Sequence, residues 1–333
     1  MTIVVVTVGL VSALLCYFLI VALRPLLERY ALARPNARSS HNTPTAQGGG
    51  IAVVAATLVA AFAGVLWAGP TITVSFHAAA ISAIILALVG ATDDLTPLPV
   101  LPRLFLQVLA VAIVLVALPE QFRVFQFLPL WAERIVLGVA LVWFVNLVNF
   151  MDGLDWMTVS EVLPITVALT LFGLLGKLNG NATLIALALG GALLGFAPFN
   201  RPVAKLFLGD VGSLPIGLLT GWCLFQLAAE QSVAAALLLP LYYLADATIT
   251  LLRRLAKREP VWVAHRSHFY QRATDNGLGV SQVVGRVLAL NIVLAALAAA
   301  TIFSASQAVD ALAIIAGIAA VGSVLYRFSH SQK

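Results

Sequence analysis

Apolar residues run along this chain in long, nearly unbroken stretches, and polar residues collect at the joints between them. The stretches are rich in Leu and Ala and lack the alternation of a barrel strand, so they read as helices. On that reading helices are predicted at 2–23, 49–68, 76–92, 100–118, 132–150, 158–176, 182–198, 211–229, 232–252, 283–304 and 307–328. Gly or Pro marks most of the joints, as at Gly69-Pro70, Pro97, Pro102, Pro119 and Pro198. About 20 helical residues cross a bilayer, so the expected fold is all-α, a polytopic membrane protein with about 11 transmembrane helices. Short joints leave no room for a separate soluble unit, and residues 1–333 read as one membrane-embedded domain.

Composition agrees with the pattern. The chain is 61% hydrophobic and 10% charged, where a soluble domain is about a quarter charged. The net charge of +5 does not point to nucleic acid, because positive loops on the inner side of a membrane account for it. With the predicted spans, all of the 19 Lys and Arg residues except Arg123, Arg134 and Lys177 fall on one side. That side reads as cytoplasmic, which puts the N-terminus on the outer face and the C-terminus in the cytoplasm. Thr2 to Leu23 has no charged start and is too long for a signal-peptide core, so it reads as a first transmembrane helix. Cys16 and Cys223 both fall inside predicted spans and form neither a disulfide framework nor a zinc spacing.

The same map sorts the acids. Asp93, Asp94, Asp152, Asp155, Asp210 and Asp246 lie at the predicted cytoplasmic side, while Glu120, Glu133, Glu230 and Asp310 are scattered singly on the other. Asp93 and Asp94 repel one another and want a cation nearby; the plainer reading is a solvated helix end, though carboxylates there oppose the helix dipole. Asn146 and Asn149 sit three apart on one helix face, and Asp152 and Asp155 continue the spacing. Such oxygen donors suit Mg²⁺, although Asn also serves as glue between membrane helices. In Gly209-Asp210-Val211-Gly212-Ser213, Asp210 offers a metal ligand and Ser213 an anion contact at a helix N-terminus, or either residue is an ordinary cap. His265-Arg266-Ser267-His268 offers donors for phosphate oxygens, while neighbouring Arg253 to Arg258 read as headgroup anchors. Arg34, Arg38 and His41 before Gly48-Gly49-Gly50 form a basic, flexible stretch that suits an anion. Asp246 is placed for either a structural ion pair with Arg253 or a catalytic role.

Taken in order, Arg38-Ser39-Ser40-His41 through Gly49, Asp93-Asp94 with Gln107, Asn146 to Asp155, Phe207 to Ser213 and Pro260 to Arg272 resemble the polyprenyl-phosphate N-acetylhexosamine-1-phosphate transferases, glycosyltransferase family 4. The resemblance spans about residues 34–272, and its His-Arg-Ser-His-Phe-Tyr-Gln-Arg block is most like the branch that starts O-antigen on undecaprenyl phosphate. It implies transfer of a sugar 1-phosphate, GlcNAc-1-phosphate by default, from a UDP-N-acetylhexosamine to undecaprenyl phosphate with release of UMP. It implies Mg²⁺, or Mn²⁺ in its place, on Asp210 with Asn149 as second ligand. By the same resemblance Asp93, Asp94 and Asp210 are catalytic, and Arg38, Asn146, Asp152, Asp155, Ser213, His265, Arg266 and His268 bind substrate. A homodimer is compatible with it, and no nucleic acid is involved. One departure stands out: the family usually has Gly after Asp-Gly-Leu-Asp, and here Trp156 follows Asp155. The related phospho-MurNAc-pentapeptide transferases are the nearest alternative. A transporter is a poorer one, since its binding groups sit near the midplane within inverted repeats. The CDP-alcohol phosphotransferases are poorer still, because their Asp/Gly/Ala-Arg signature is absent.

Overall fold

The computed structural model describes residues 2–33, 44–68, 71–260, 265–304 and 306–330. Among them are thirteen helices: α1 (Thr2–Tyr30), α2 (Gly50–Ala68), α3 (Val74–Leu95), α4 (Val100–Val116), α5 (Leu130–Met151), α6 (Met157–Leu174), α7 (Gly180–Phe196), α8 (Asp210–Glu230), α9 (Val233–Leu238), α10 (Leu241–Ala256), α11 (Phe269–Asp275), α12 (Val280–Ser304) and α13 (Gln307–Ser329). Eight are long and apolar enough to cross a membrane, and α4 and α7 are shorter apolar helices. The protein is a polytopic membrane protein.

Three short strands qualify the all-α expectation. β1 (Leu32–Ala33) pairs antiparallel with β2 (Thr45–Gln47), which pairs parallel with β3 (Leu206–Phe207). This ribbon ties the chain after α1 to the residues before α8, and Gly49 and Gly50 extend the pairing by donating to Phe207 and Leu208. The span expected at 232–252 is not one helix. Pro240 cannot donate a backbone hydrogen bond, and the chain breaks there into α9 and α10. By contrast α1 runs through Pro25 to Tyr30, with Arg24 and Glu28 paired one turn apart at 2.6 Å.

α8 is the hub. It packs on α3, α5, α2 and α7, and 89% of its most apolar window is buried, against 22% for α1 and α13 at the periphery. Small residues bring the backbones together, as membrane helices require. A Cβ added at Gly50 would overlap the Gly212 backbone, so α2 and α8 can approach only with glycine at both points. Polar side chains inside the bundle are satisfied locally. Ser12 donates to the Ala188 carbonyl at 2.6 Å and Ser82 to the Ala110 carbonyl at 2.8 Å. Thr73, Asn179 and Ser232 cap α3, α7 and α9 through their side-chain oxygens.

Candidate active site

The C-terminal ends of α3 and α5, the N-terminal ends of α8 and α12 and the strand ribbon meet around a cavity of about 700 Å³. Its wall carries Asp94, Asn149, Asp152, Asp155 and Asp210, with Gln47, Asn200 and Gln271. No Lys or Arg is among its described lining residues. The clusters singled out around Asp94, Asn149 to Asp155 and Asp210 thus share one space.

Asp93 and Asp94 do not act as a pair. Adjacent helical residues point about 100° apart, and each finds its own partner. Asp93 accepts from Arg103 at 2.7 Å and from the Leu98 N–H at 2.6 Å. Asp94 turns to α8, where its two oxygens accept from the backbone N–H groups of Asp210 (2.9 Å) and Val211 (3.1 Å). It therefore caps a helix from a neighbouring element, the end at which the dipole favours a negative charge. Asp210, next to that cap, accepts from Asn149 Nδ2 at 2.7 Å, and its other oxygen lies 3.7 Å from Arg103. Asn149 Nδ2 also donates to Ser213 at 2.9 Å. Asn146 bonds instead to Gln107 at 2.7 Å, one turn back along α5.

Beyond α5 the chain turns through Asp152 to Asp155. Thr158 donates to Asp152 at 2.5 Å, and Asp155 accepts from the Ala204 N–H at 3.0 Å. Burial, with smaller contributions from Asp94 and Asp155, pushes the Asp152 carboxyl up to about 7, against the opposing effect of Thr158. An acidic cavity of this kind favours a cation. Trp156 holds a left-handed backbone (φ 63°), which L side chains seldom adopt. It is held by donation of its indole N–H to the Ala197 carbonyl and of its backbone N–H to Asn200, both at 2.7 Å.

The histidine block lies elsewhere. His265, Arg266 and His268 are not among the residues that line the cavity. His268 is buried against Asp246, with Nδ1 3.2 Å from the carboxylate, and His265 stacks on His268 at 4.9 Å. Burial lowers the His265 imidazole to about 4, which keeps it neutral at pH 7. Arg266 pairs with Asp275 at 3.0 Å. Asp246 meets this block, not Arg253: both oxygens are occupied by the start of α11 and its neighbours. Arg34, Arg38 and His41 lie outside the described residues.

Sequence reasoning missed Gln47 and Asn200, uncharged residues with no motif of their own, and gave no role to Gln271, which lies in the histidine block. It counted Arg103 only as an inside charge, although that residue sits ten positions after Asp93 and bridges it to Asp210. Beside the cavity a second, almost wholly apolar groove of about 730 Å³ runs between α4 and α5. Leu104, Val108, Val139 and Trp143 line it, with Leu251 of α10, and Asn146 and Phe150 also border it.

Fold and site together define an integral membrane protein that gathers oxygen donors around a cavity at the ends of its helices, next to an apolar groove. The model of Glycosyl transferase family 4 matches residues 76–228, and the chain belongs to that family. It is similar to the decaprenyl-phosphate N-acetylglucosaminephosphotransferase of Mycobacterium tuberculosis (strain ATCC 25618 / H37Rv), 34% identical over 250 residues, covering 68% of this chain and 60% of that protein. It is also similar to a Bacillus subtilis (strain 168) protein named "Probable undecaprenyl-phosphate N-acetylglucosaminyl 1-phosphate transferase", 26% identical over 278 residues, 78% of this chain and 75% of the relative. A phospho-N-acetylmuramoyl-pentapeptide-transferase of Bartonella quintana (strain Toulouse) is 32% identical over 177 residues, 47% and 48% of the two chains. The match thus spans about 60% of the length of the mycobacterial relatives.

Proposed function

We propose that this protein transfers an N-acetylhexosamine 1-phosphate, GlcNAc-1-phosphate first, from a UDP-sugar to a polyprenyl phosphate such as undecaprenyl phosphate. An oxygen of the lipid phosphate attacks the β-phosphorus; the bond from that phosphorus to the bridging oxygen breaks, and UMP leaves with the electron pair. The observation that carries this reading is the meeting of Asp94, Asn149, Asp152, Asp155 and Asp210 in one cavity beside an apolar groove. The names of the relatives support the acceptor and the transferred group. The charge asymmetry of the loops supports a cytoplasmic cavity in a bacterial inner membrane, and a step that opens O-antigen or a related envelope polysaccharide fits that place.

The donor set suits Mg²⁺. Among the described residues no cluster of three or more His, Cys, Asp or Glu side chains forms a protein cage for a metal. Mg²⁺ needs none, because it takes one or two carboxylates and completes its shell with phosphate and water. Asp210 and the amide oxygen of Asn149 would hold it, since the Asn149 nitrogen is already committed to Asp210 and Ser213. When bound, the ion would offset the charge of the diphosphate. Asp94 sets the position of Asp210 through the α8 N-terminus. Arg103 faces both Asp93 and Asp210, and Leu104 next to it lines the groove. That arrangement suits a lipid phosphate at Arg103 with its prenyl tail between α4 and α5. A phosphate monoester is largely dianionic near neutral pH, so no base is required to activate it.

The test is UMP release by purified protein with undecaprenyl phosphate and a panel of UDP-sugars. UDP-GlcNAc is expected to support Mg²⁺-dependent turnover, and Asp210→Asn to abolish it while the protein still inserts. Near-normal activity in Asp210→Asn would remove the metal assignment. Turnover with UDP-MurNAc-pentapeptide alone would move the protein to the peptidoglycan branch.

A further inference from the structure

Glu161 lies on α6, inside a membrane-crossing helix, and is 1% exposed. A carboxylate at such depth is costly unless it is held and used. Its Oε2 accepts from Asn291 Nδ2 of α12 at 2.6 Å. Its Oε1 accepts from the backbone N–H of Tyr243 at 3.3 Å. Tyr243 belongs to the first turn of α10, just past the break at Pro240, where N–H groups have no partner within their own helix. Glu161 therefore caps α10 from a neighbouring helix by accepting one of its first-turn N–H groups.

The bonds beyond Glu161 close into a ring. Thr158, three residues earlier and on the same face of α6, donates to Asp152 of the cavity at 2.5 Å. α10 carries Asp246, which accepts from the Tyr270 N–H at 3.1 Å. The Tyr270 hydroxyl returns to the cavity loop: it donates to the Phe150 carbonyl at 3.1 Å. It also lies so close to Gly153 that a Cβ there would overlap it. From Asp152 the path runs through Thr158, Glu161, α10, Asp246 and Tyr270 to Phe150 and Gly153, on either side of Asp152.

We infer that Glu161 is a positioning residue for the Asp152–Asp155 loop, acting through the start of α10 and the Tyr270 hydroxyl. Fixing α10 against α6 fixes where Tyr270 meets Phe150 and Gly153, and hence where two cavity acids stand. Its kinetic consequence rests on the proposed sugar-phosphate transfer; the mechanical coupling does not.

Two substitutions separate this from plain packing. Glu161→Leu has no acceptor for Tyr243. Glu161→Gln keeps one, and its amide N–H meets a ready partner, because Asn291 Oδ1 is buried with no hydrogen-bond partner. Turning over the Asn291 amide supplies it, at the loss of the bond that Asn291 Nδ2 donates to the Ser160 carbonyl at 3.1 Å.

The experiment is hydrogen–deuterium exchange on the full chain in nanodiscs, paired with kinetics on the UDP-sugar. Glu161→Leu is expected to speed exchange across residues 150–158 and 269–275 about tenfold, equivalent to about 1.4 kcal/mol, and to raise KM for the UDP-sugar by a similar factor with kcat changed far less. Glu161→Gln, which keeps the Tyr243 acceptor and gives up only the Asn291–Ser160 bond, recovers the larger part of both. Tyr270→Phe reproduces the effect at 150–158, and the Glu161→Leu/Tyr270→Phe double variant goes no further than Glu161→Leu alone, as a shared path requires. Asn291→Ala removes one donor and carries the same expectation at a smaller factor, which keeps the test available where Glu161→Leu fails to insert. Unchanged exchange at 150–158 in Glu161→Leu, or additive effects in the double variant, would overturn the inference. Coupled exchange in a wild-type protein that transfers no sugar phosphate would leave the coupling standing and remove the functional reading.

Discussion

Asp246 offers the sharpest separation of a structural acid from a chemical one. It is wholly buried and accepts from five donors: the N–H groups of Phe269 and Tyr270, Nδ1 of His268, and the hydroxyls of Tyr242 and Thr250, all at 3.0–3.3 Å. Asp246→Ala strands the two N–H groups that open α11. A hydrogen bond to a charged group contributes about 1.5–3 kcal/mol, so the two backbone bonds together are worth about 3–6 kcal/mol. The side-chain donors can turn elsewhere and add less. Asp246→Asn keeps one acceptor and turns the other oxygen into a donor facing a donor, for a loss of about 2–3 kcal/mol. Against a total stability of about 5–15 kcal/mol, the alanine variant gives up a large fraction. Thermal unfolding in detergent reads the difference, with a fall of at least about 6 °C for Ala and a smaller one for Asn. Limited proteolysis around residues 257–275 should quicken in parallel. If Asp246→Ala melts like the wild type yet loses turnover, Asp246 belongs to the chemistry and the structural assignment fails.

Three further outcomes follow from the same geometry. Trp156→Gly loses an indole hydrogen bond and the ring's packing against the core, and relieves a left-handed backbone worth about 1 kcal/mol, so it should melt below wild type. Trp156→Ala loses the same bond and packing and keeps the strain, so it should melt lower still, and the gap between the two variants in a thermal shift assay measures the backbone cost. Asp152 holds its proton up to about pH 7 in the folded protein, against about 3.9 when unfolded. The folded state thus binds the extra proton between those values, and stability falls as pH rises through that window; Asp152→Asn should melt higher than wild type at pH 8 and alike at pH 4, and the reverse order would refute the burial argument. Gly50→Ala would drive a methyl into Gly212, an overpacking that costs about 1–3 kcal/mol or more, read as lost expression and a lower melting temperature.

The membrane helices were legible because each needs only a long apolar run, and hydropathy records that run directly. Where the structure departs from that reading, a partner distant in sequence is involved. The run at 232–252 is continuously apolar, and Pro240 alone marked its break; the acid that caps the new helix start, Glu161, is 82 positions from Tyr243. Strands of two and three residues carry no period to detect, and α11 is too short to stand out from a polar loop. The gathering of Asp94, Asn149, Asp152 and Asp210 was legible from topology, since loops between alternate spans share a side. Their individual partners were not. That Asp93 and Asp94 diverge follows from helix geometry, but that one takes Arg103 and the other the α8 N-terminus depends on packing. The histidines of the 265–268 block looked available because sequence does not show Asp246 beneath them.

The buried and half-buried acids separate by what occupies their oxygens. Glu133 accepts from the N–H groups of Val124 and Phe125 and pairs with Arg123. Glu161 caps α10, Asp246 caps α11 and Asp94 caps α8. In each case backbone donors of another segment, a loop for Glu133 and a helix start for the other three, meet the acid, an arrangement that fixes the segment and leaves fewer lone pairs for a ligand. Asp210 and Asp152 differ. Asp210 accepts from the Asn149 side chain and faces Arg103 at 3.7 Å, and Asp152 accepts from the Thr158 side chain, groups that can rotate when a stronger partner arrives. A cation or diphosphate in the cavity can therefore recruit Asp210 and Asp152 without unpairing a buried backbone N–H, whereas using Glu161 or Asp246 would unpair one. Asp94 stands between the groups: it lines the cavity and holds α8 at once, so the frame and the chemistry meet at that carboxylate.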